Sequence, residues 1–267
     1  MKKHYENFPV ASIVLPKRFR RPVGIIYSFA RNADDFADEG ERSNEARLEL
    51  LNGYRSELDK IAKGIESDDP LFIAIGEIIR QHDLPIQFFR DLLDAFSQDV
   101  EKKSYEDFET LLHYCRRSAN PVGRLLICLY GIDSEENRAW SDHICTSLQL
   151  INFLQDVAVD LAMGRVYLPA DEIESFGLSK LSAEDPAWQP FMKHQSERAK
   201  AMMLEGAPLA GKMKGRLAFE MRLIILGGLR ILEKLENNQW DVFEKRPRLE
   251  KADWLVMIFR AIFNDHS

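Results

Sequence analysis

The sequence predicts an all-α fold, and three observations carry that prediction. Apolar residues recur at three- and four-residue spacing through most of the 267 positions. No stretch alternates apolar and polar residues over more than a few positions, so no half-buried strand is expected. Gly and Pro fall where such periodic segments begin and end. With no repeat, low-complexity tract or flexible linker, the chain reads as one domain over 1–267, built from roughly nine to eleven helices.

Residues 1 to 21 read as irregular, punctuated by Pro9 and Pro16. Pro22 suits a first helical turn, after which Ile25, Ile26, Phe29 and Ala33 share a face and Gly40 stops the helix. Ser43 to Lys63 forms a second helix on Leu48, Leu51, Tyr54, Leu58 and Ile61. Asp68, Asp69 and Pro70 open a third, where the aspartates favour the helix dipole. Pro85 opens a fourth, with Phe88, Phe89 and Phe96 on a stripe that reads as core. A fifth covers about 106 to 130 and is interrupted at Asn120-Pro121, since proline removes a hydrogen bond and crowds the preceding turn. Ser134 starts a long helix that ends at Met163-Gly164, and GRVYLP follows as a short extended segment. Residues 171 to 190 read as a loop with short helical pieces. Helices resume over 191–205, 215–236 and Ala252 to Phe263.

Two acidic clusters interrupt this apolar pattern. Asp34 and Asp38 stand four residues apart, as do Asp156 and Asp160, so each pair projects from one helix face. Arg31 precedes the first pair by a turn and Asn152 the second. Carboxylates at that spacing repel one another and call for a counter-charge, and a hard divalent cation is the usual one. One such pair alone is an ordinary solvated face. The apolar setting of LQLINFLQDV argues otherwise, because a buried unpaired carboxylate is costly. On facing helices the two pairs would hold Mg²⁺ against a diphosphate, with Arg31 and Arg165 on its oxygens.

Composition narrows the field. A chain 45% hydrophobic and 30% charged reads as globular, and a net charge of −7 argues against nucleic acid. Cys115, Cys128 and Cys145 lack metal or disulfide spacing and read as reduced core residues. The six histidines have no metal-ligand spacing. With no secretory signal and no membrane-length apolar run, the chain is expected in a reducing cytoplasm.

The stretches YSFARNADDFADEG and LQLINFLQDVAVDLAMGRVYLP resemble the two signature motifs of the squalene and phytoene synthases. The resemblance runs from about Asn7 to the last helix. It implies an isoprenoid-synthase-type helical bundle with a central cavity, and Mg²⁺-dependent chemistry on prenyl diphosphates. By it, Asp34, Asp38, Asp156 and Asp160 are the Mg²⁺ ligands and Asp35 supports them. Arg31, Asn152, Arg165 and Tyr167 match substrate-contacting positions, and Gln155, Asp35 and Tyr27 are expected to contact substrate beside them. Tyr114 opens the family's middle motif and is expected either to face the cavity as a catalytic residue or to be a core tyrosine with a satisfied hydroxyl. Tyr27 lies on the helix expected to face the cavity, to stabilise the cation or simply to pack.

Three departures stand out. Gln155 replaces the usual arginine before the first aspartate of the second motif, so one phosphate-binding cation is missing. YCRRSANPVG carries Asn120-Pro121 where the family has a small, flexible pair. The N-terminal ENFPVAS differs from the usual Ser-Phe. These departures resemble the hydroxysqualene synthases of bacterial hopanoid and squalene biosynthesis, a branch that ionises presqualene diphosphate and quenches the cation with water. That branch consumes no NADPH, and no nucleotide-binding fingerprint occurs in the sequence. Asn120 would then help hold the quenching water; the competing reading makes it a cap for the helical segment after the break. Head-to-head condensation of two prenyl diphosphates is the alternative reaction, and a non-catalytic assembly partner the alternative of another class. The C-terminal EKRPRLEKADWLVMIFRAIF joins basic residues to an apolar helical face. It suits an anionic membrane surface, although packing of WLVMIF onto the bundle is the preferred reading. Association with other enzymes of the pathway is a further expectation.

Overall fold

The computed structural model describes residues 15–263. The N-terminal reading of residues 1–14, including Pro9 and the ENFPVAS departure, lies outside them. The described residues fall into two compact units whose stretches alternate along the chain: 15–102 with 113–138, and 103–112 with 139–263. No helix among them is long and apolar enough to cross a membrane.

In the first unit, α1 (Lys17–Asp38) packs against α2 (Asn44–Ala62), α3 (Pro70–His82), α4 (Ile86–Glu101) and α6 (Asn120–Tyr130). The helix begins at Lys17 rather than at Pro22, which lies buried inside it. The proline sits close enough to the helix start that only the Arg18 carbonyl loses its N–H partner, and its ring adds to the buried face of Phe19, Ile26 and Phe29. Phe29 is fully buried and meets the rings of Tyr54, Phe72 and Phe89 at 5.5, 6.1 and 5.2 Å. Aromatic contacts of this geometry stabilise a core beyond simple area burial. Ser43 caps α2 by accepting from Ala46 N–H at 3.3 Å, and Asp69 caps α3 by accepting from Leu71 N–H at 2.7 Å.

The expected break at Asn120-Pro121 separates α5 (Phe108–Ser118) from α6. The residue at the cap position is Ala119, with no side-chain hydrogen bond to the helix. The capping role for Asn120 is therefore incorrect: Asn120 is already the first residue of α6, where its side chain cannot serve as an N-cap, and it is buried at 3% exposure.

In the second unit, α7 (Glu135–Ala162) contributes its stretch from residue 139 onward. It ends at Gly164, whose φ of +72° turns the chain out of the helix. GRVYLP is extended as expected. It forms β2 (Val166–Pro169), which pairs in parallel with the two-residue β1 (Ser104–Tyr105). α8 (Ala170–Ser175), α9 (Trp188–Gly206), α10 (Leu209–Lys212), α11 (Arg216–Asn237) and α12 (Lys251–Phe263) complete the unit. Small residues set its tightest approaches. A Cβ on Gly206 would stand 2.6 Å from the Trp140 backbone carbonyl of α7, which cannot give way as a side chain could.

The preferred reading of the C-terminal helix holds in part. α12 packs on α11, burying Met257 and Ala261. Its other side leaves Leu255, Val256, Ile258, Phe259, Ile262 and Phe263 exposed, up to 72% at Leu255. At 100° per residue these six positions fall on one continuous arc. The three cysteines are free, and burial pushes the Cys115 thiol up to about 12.

Candidate active site

The first cluster stands on the last turns of α1. Arg31 pairs with Asp34 at 3.3 Å and with Asp35 at 2.7 Å, one turn along the same helix. Asp34 keeps 36% of its side chain open, yet its surroundings desolvate it enough to push its pKa up to about 7. Desolvation is the largest cause, the neighbouring Asp38 carboxylate the next, and Arg31 offsets them only in part. Asp34 is thus a reachable carboxylate short of positive charge, the condition that a divalent cation relieves. Asp38 is exposed at the helix end, and Tyr27 is half-buried about three turns earlier.

Asp99 contributes to the same field, and the sequence reading passed it over. It is 6% exposed on α4, raises the Asp34 pKa, and accepts a 2.6 Å hydrogen bond from the Tyr114 hydroxyl. Its signal was available: Asp99 continues the Leu92–Phe96 stripe by three residues, an acid on an apolar helix face. Tyr114 is 4% exposed, so it is the core tyrosine with a satisfied hydroxyl.

The second cluster lies on α7 and the segment after it. Asn152 is exposed, and Asp156 and Asp160 are half-buried along the same face. Asp156 already has a counter-charge. Arg246, from the segment between α11 and α12, directs Nε and Nη2 at its two carboxylate oxygens, the latter at 2.9 Å. Arg246 was not foreseen, because nothing in Arg-Pro-Arg marks a partner 90 residues away. Gln155 is 1% exposed and donates its amide to the Pro247 carbonyl at 2.8 Å. This corrects the expectation that Gln155 contacts substrate, since a buried amide held by a backbone oxygen is committed to the protein. Arg165 is buried and shares a small pocket with Asp160, Phe153 and Val157. The Tyr167 ring stacks at 4.2 Å on Phe153 and at 5.7 Å on Tyr105, so the ring is a packing element of its unit.

Among the described residues no three His, Cys, Asp or Glu side chains form a ready-made metal cage. Magnesium does not need one, since it is commonly held by one or two carboxylates with water and phosphate oxygens completing its shell. Asp34 fits such an ion because Arg31 only partly offsets the desolvation and the Asp38 carboxylate that oppose its charge. Asp156 fits beside Arg246, since a carboxylate offers about four acceptor sites and the guanidinium occupies two of them.

The sequence profile described as squalene/phytoene synthase matches residues 1–253. The chain belongs to the squalene/phytoene synthase family. Family membership makes it an isoprenoid synthase, of the fold to which its helical elements conform. Among its relatives, the hydroxysqualene synthase of Rhodopseudomonas palustris is 33% identical over 97% of this chain and 89% of its own. That of Zymomonas mobilis is 32% identical over 96% and 86%. Among solved structures, squalene synthase HpnC from Alicyclobacillus acidocaldarius is similar with a TM-score of 0.80. It is 33% identical, with 89% of this chain and 90% of that one covered.

Proposed function

We propose that this family member converts presqualene diphosphate to hydroxysqualene. The observation that carries the reading is the near full-length similarity to two hydroxysqualene synthases. The carbon–oxygen bond to the diphosphate breaks, the electron pair leaves with it, and the cyclopropylcarbinyl cation rearranges. Water adds its oxygen to the cation and gives up a proton, so no NADPH is consumed. Asp34 and Asp38, and Asp156 and Asp160, are the proposed Mg²⁺ ligands; bound there, the ion supplies the positive charge that makes diphosphate a leaving group. Arg31, Asn152 and Arg165 donate to phosphate oxygens. Tyr27 offers a ring face to the cation, and buried Asn120 helps hold the attacking water.

The alternative, condensation of two prenyl diphosphates, draws on the similarity to the squalene synthase from A. acidocaldarius. Supplying presqualene diphosphate and farnesyl diphosphate separately, with Mg²⁺ and without NADPH, separates the two by mass spectrometry of the products. Hydroxysqualene from the first and no product from the second is expected. Presqualene diphosphate made from farnesyl diphosphate alone would refute the assignment. An Asn120→Ala enzyme making only hydroxysqualene at the normal rate would refute the role given to Asn120.

We also infer work in the cytoplasm, at a membrane surface. The outward arc of α12 is apolar, and Arg248 and Lys251 lie exposed at its start. Full-length protein is expected to co-sediment with anionic vesicles, and a Leu255→Ser/Phe259→Ser variant to bind them about tenfold less. Equal binding of the two would dismiss the helix as the contact.

A further inference from the structure

The second cluster has a cation that its own motif lacks. Gln155 and Asp156 are neighbours on α7, and they hold neighbours in the 246–248 segment. Gln155 takes the Pro247 carbonyl at 2.8 Å, and Asp156 takes the Arg246 guanidinium, with Nη2 at 2.9 Å. The first contact is buried and uncharged. Pro247 fixes its own φ and restricts Arg246 to extended backbone, so a carbonyl held at Pro247 also sets the direction of the arginine before it. Leu249, 3% exposed, anchors the segment two residues on.

The guanidinium itself has a donor to spare. Nε and Nη2 serve Asp156, while Nη1 is buried without a hydrogen-bond partner among the described residues. An unmet donor on a charged group is costly unless something accepts from it. The arrangement therefore favours an anionic oxygen at that corner, and a carboxylate–guanidinium pair can share such an acceptor with a cation bound to the carboxylate.

We propose that Gln155 is a positioning residue. Through Pro247 it holds Arg246 at Asp156, so that the cluster receives from the far end of the chain a cation that binds diphosphate oxygens. The glutamine that takes a charge out of the motif is the residue that brings one in. The proposal rests on the diphosphate reading but not on which reaction follows.

The test is a double-mutant cycle on the full chain, with Mg²⁺ and inorganic pyrophosphate as the probe. Affinity is read from the rise in melting midpoint with pyrophosphate concentration. Gln155→Met is expected to weaken binding about tenfold and Arg246→Met about ten- to thirtyfold. The double variant is expected to match Arg246→Met within about twofold, because Gln155 acts only through the arginine. A Gln155→Met effect that persists undiminished beside Arg246→Met, or no effect of either variant, overturns the proposal. Should Gln155→Met not fold, Gln155→Asn removes the reach of the amide at lower volume cost, and Arg246→Met alone must still weaken binding. No pyrophosphate shift in the unsubstituted chain would overturn the diphosphate reading together with this inference. A shift that the variants leave untouched overturns this inference alone.

Discussion

Replacing Asp34 by Asn is expected to lower turnover by about a thousandfold while making the protein harder to melt at pH 8. Both effects come from one property. The folded protein holds the Asp34 carboxyl at about 7, against an ordinary 3.8, because desolvation and then Asp38 oppose its ionisation. A raised acid binds more protons folded than unfolded. The stability it contributes is full below about pH 3.8 and is lost as the pH rises through about 7. Above that, the ionised side chain is a standing cost. With 36% of it open to solvent, screening reduces that cost to roughly 1–2 kcal/mol. Asn cannot ionise, so the variant should gain stability at pH 8 and show no gain at pH 4. Thermal melts at both pH values, beside a turnover assay, check the pair of outcomes. A variant that melts like the unsubstituted protein at both pH values would mean that Asp34 is not the strained carboxylate described.

Asp253→Asn is expected to have the largest purely structural effect, a loss of about 3 kcal/mol. Asp253 is 3% exposed on α12 and accepts from Arg230 Nε and Lys234 Nζ of α11, each at 2.7 Å, and from Glu250 N–H at 2.8 Å. Burial alone would raise its pKa, but the donors from Lys234, Glu250 and Arg230 outweigh burial and bring it down to about 2. A depressed acid stabilises above its unfolded pKa. This contribution is present above about pH 3.8 and is lost as the pH falls towards about 2. The unsubstituted protein should therefore lose stability across that window more steeply than the variant. Urea unfolding at pH 7 and pH 3 measures both. Equal midpoints at pH 7 would show that the α11–α12 junction does not depend on this carboxylate.

The helical class and most helix ends were legible because they depend on local chemistry. Ser43, Asp69 and Pro85 start helices, and Gly40, Gly64 and Gly164 end them, through contacts within a few residues. Pro22 misled because its position suits a first turn, while Lys17 to Arg21 carry no stop signal of their own and extend the helix backward. The acidic pairs were visible as a spacing. Their partners were not. Arg246 reaches Asp156 across 90 residues of chain, and Gln155 reads as a lost charge until Pro247 is seen against it. Asp99 was within reach of sequence reasoning, as an acid on an apolar stripe. Its link to Tyr114 was not, because two helices had to be packed together first.

The central claim is that the two acidic pairs hold Mg²⁺ against a diphosphate, and calorimetric titration tests it without any turnover. Mg²⁺ is titrated into the full chain with inorganic pyrophosphate present, then into Asp34→Asn and into Asp156→Asn. Saturable binding to the unsubstituted chain, weakened about a hundredfold in each variant, is the predicted result. Binding of equal strength in all three proteins would contradict it.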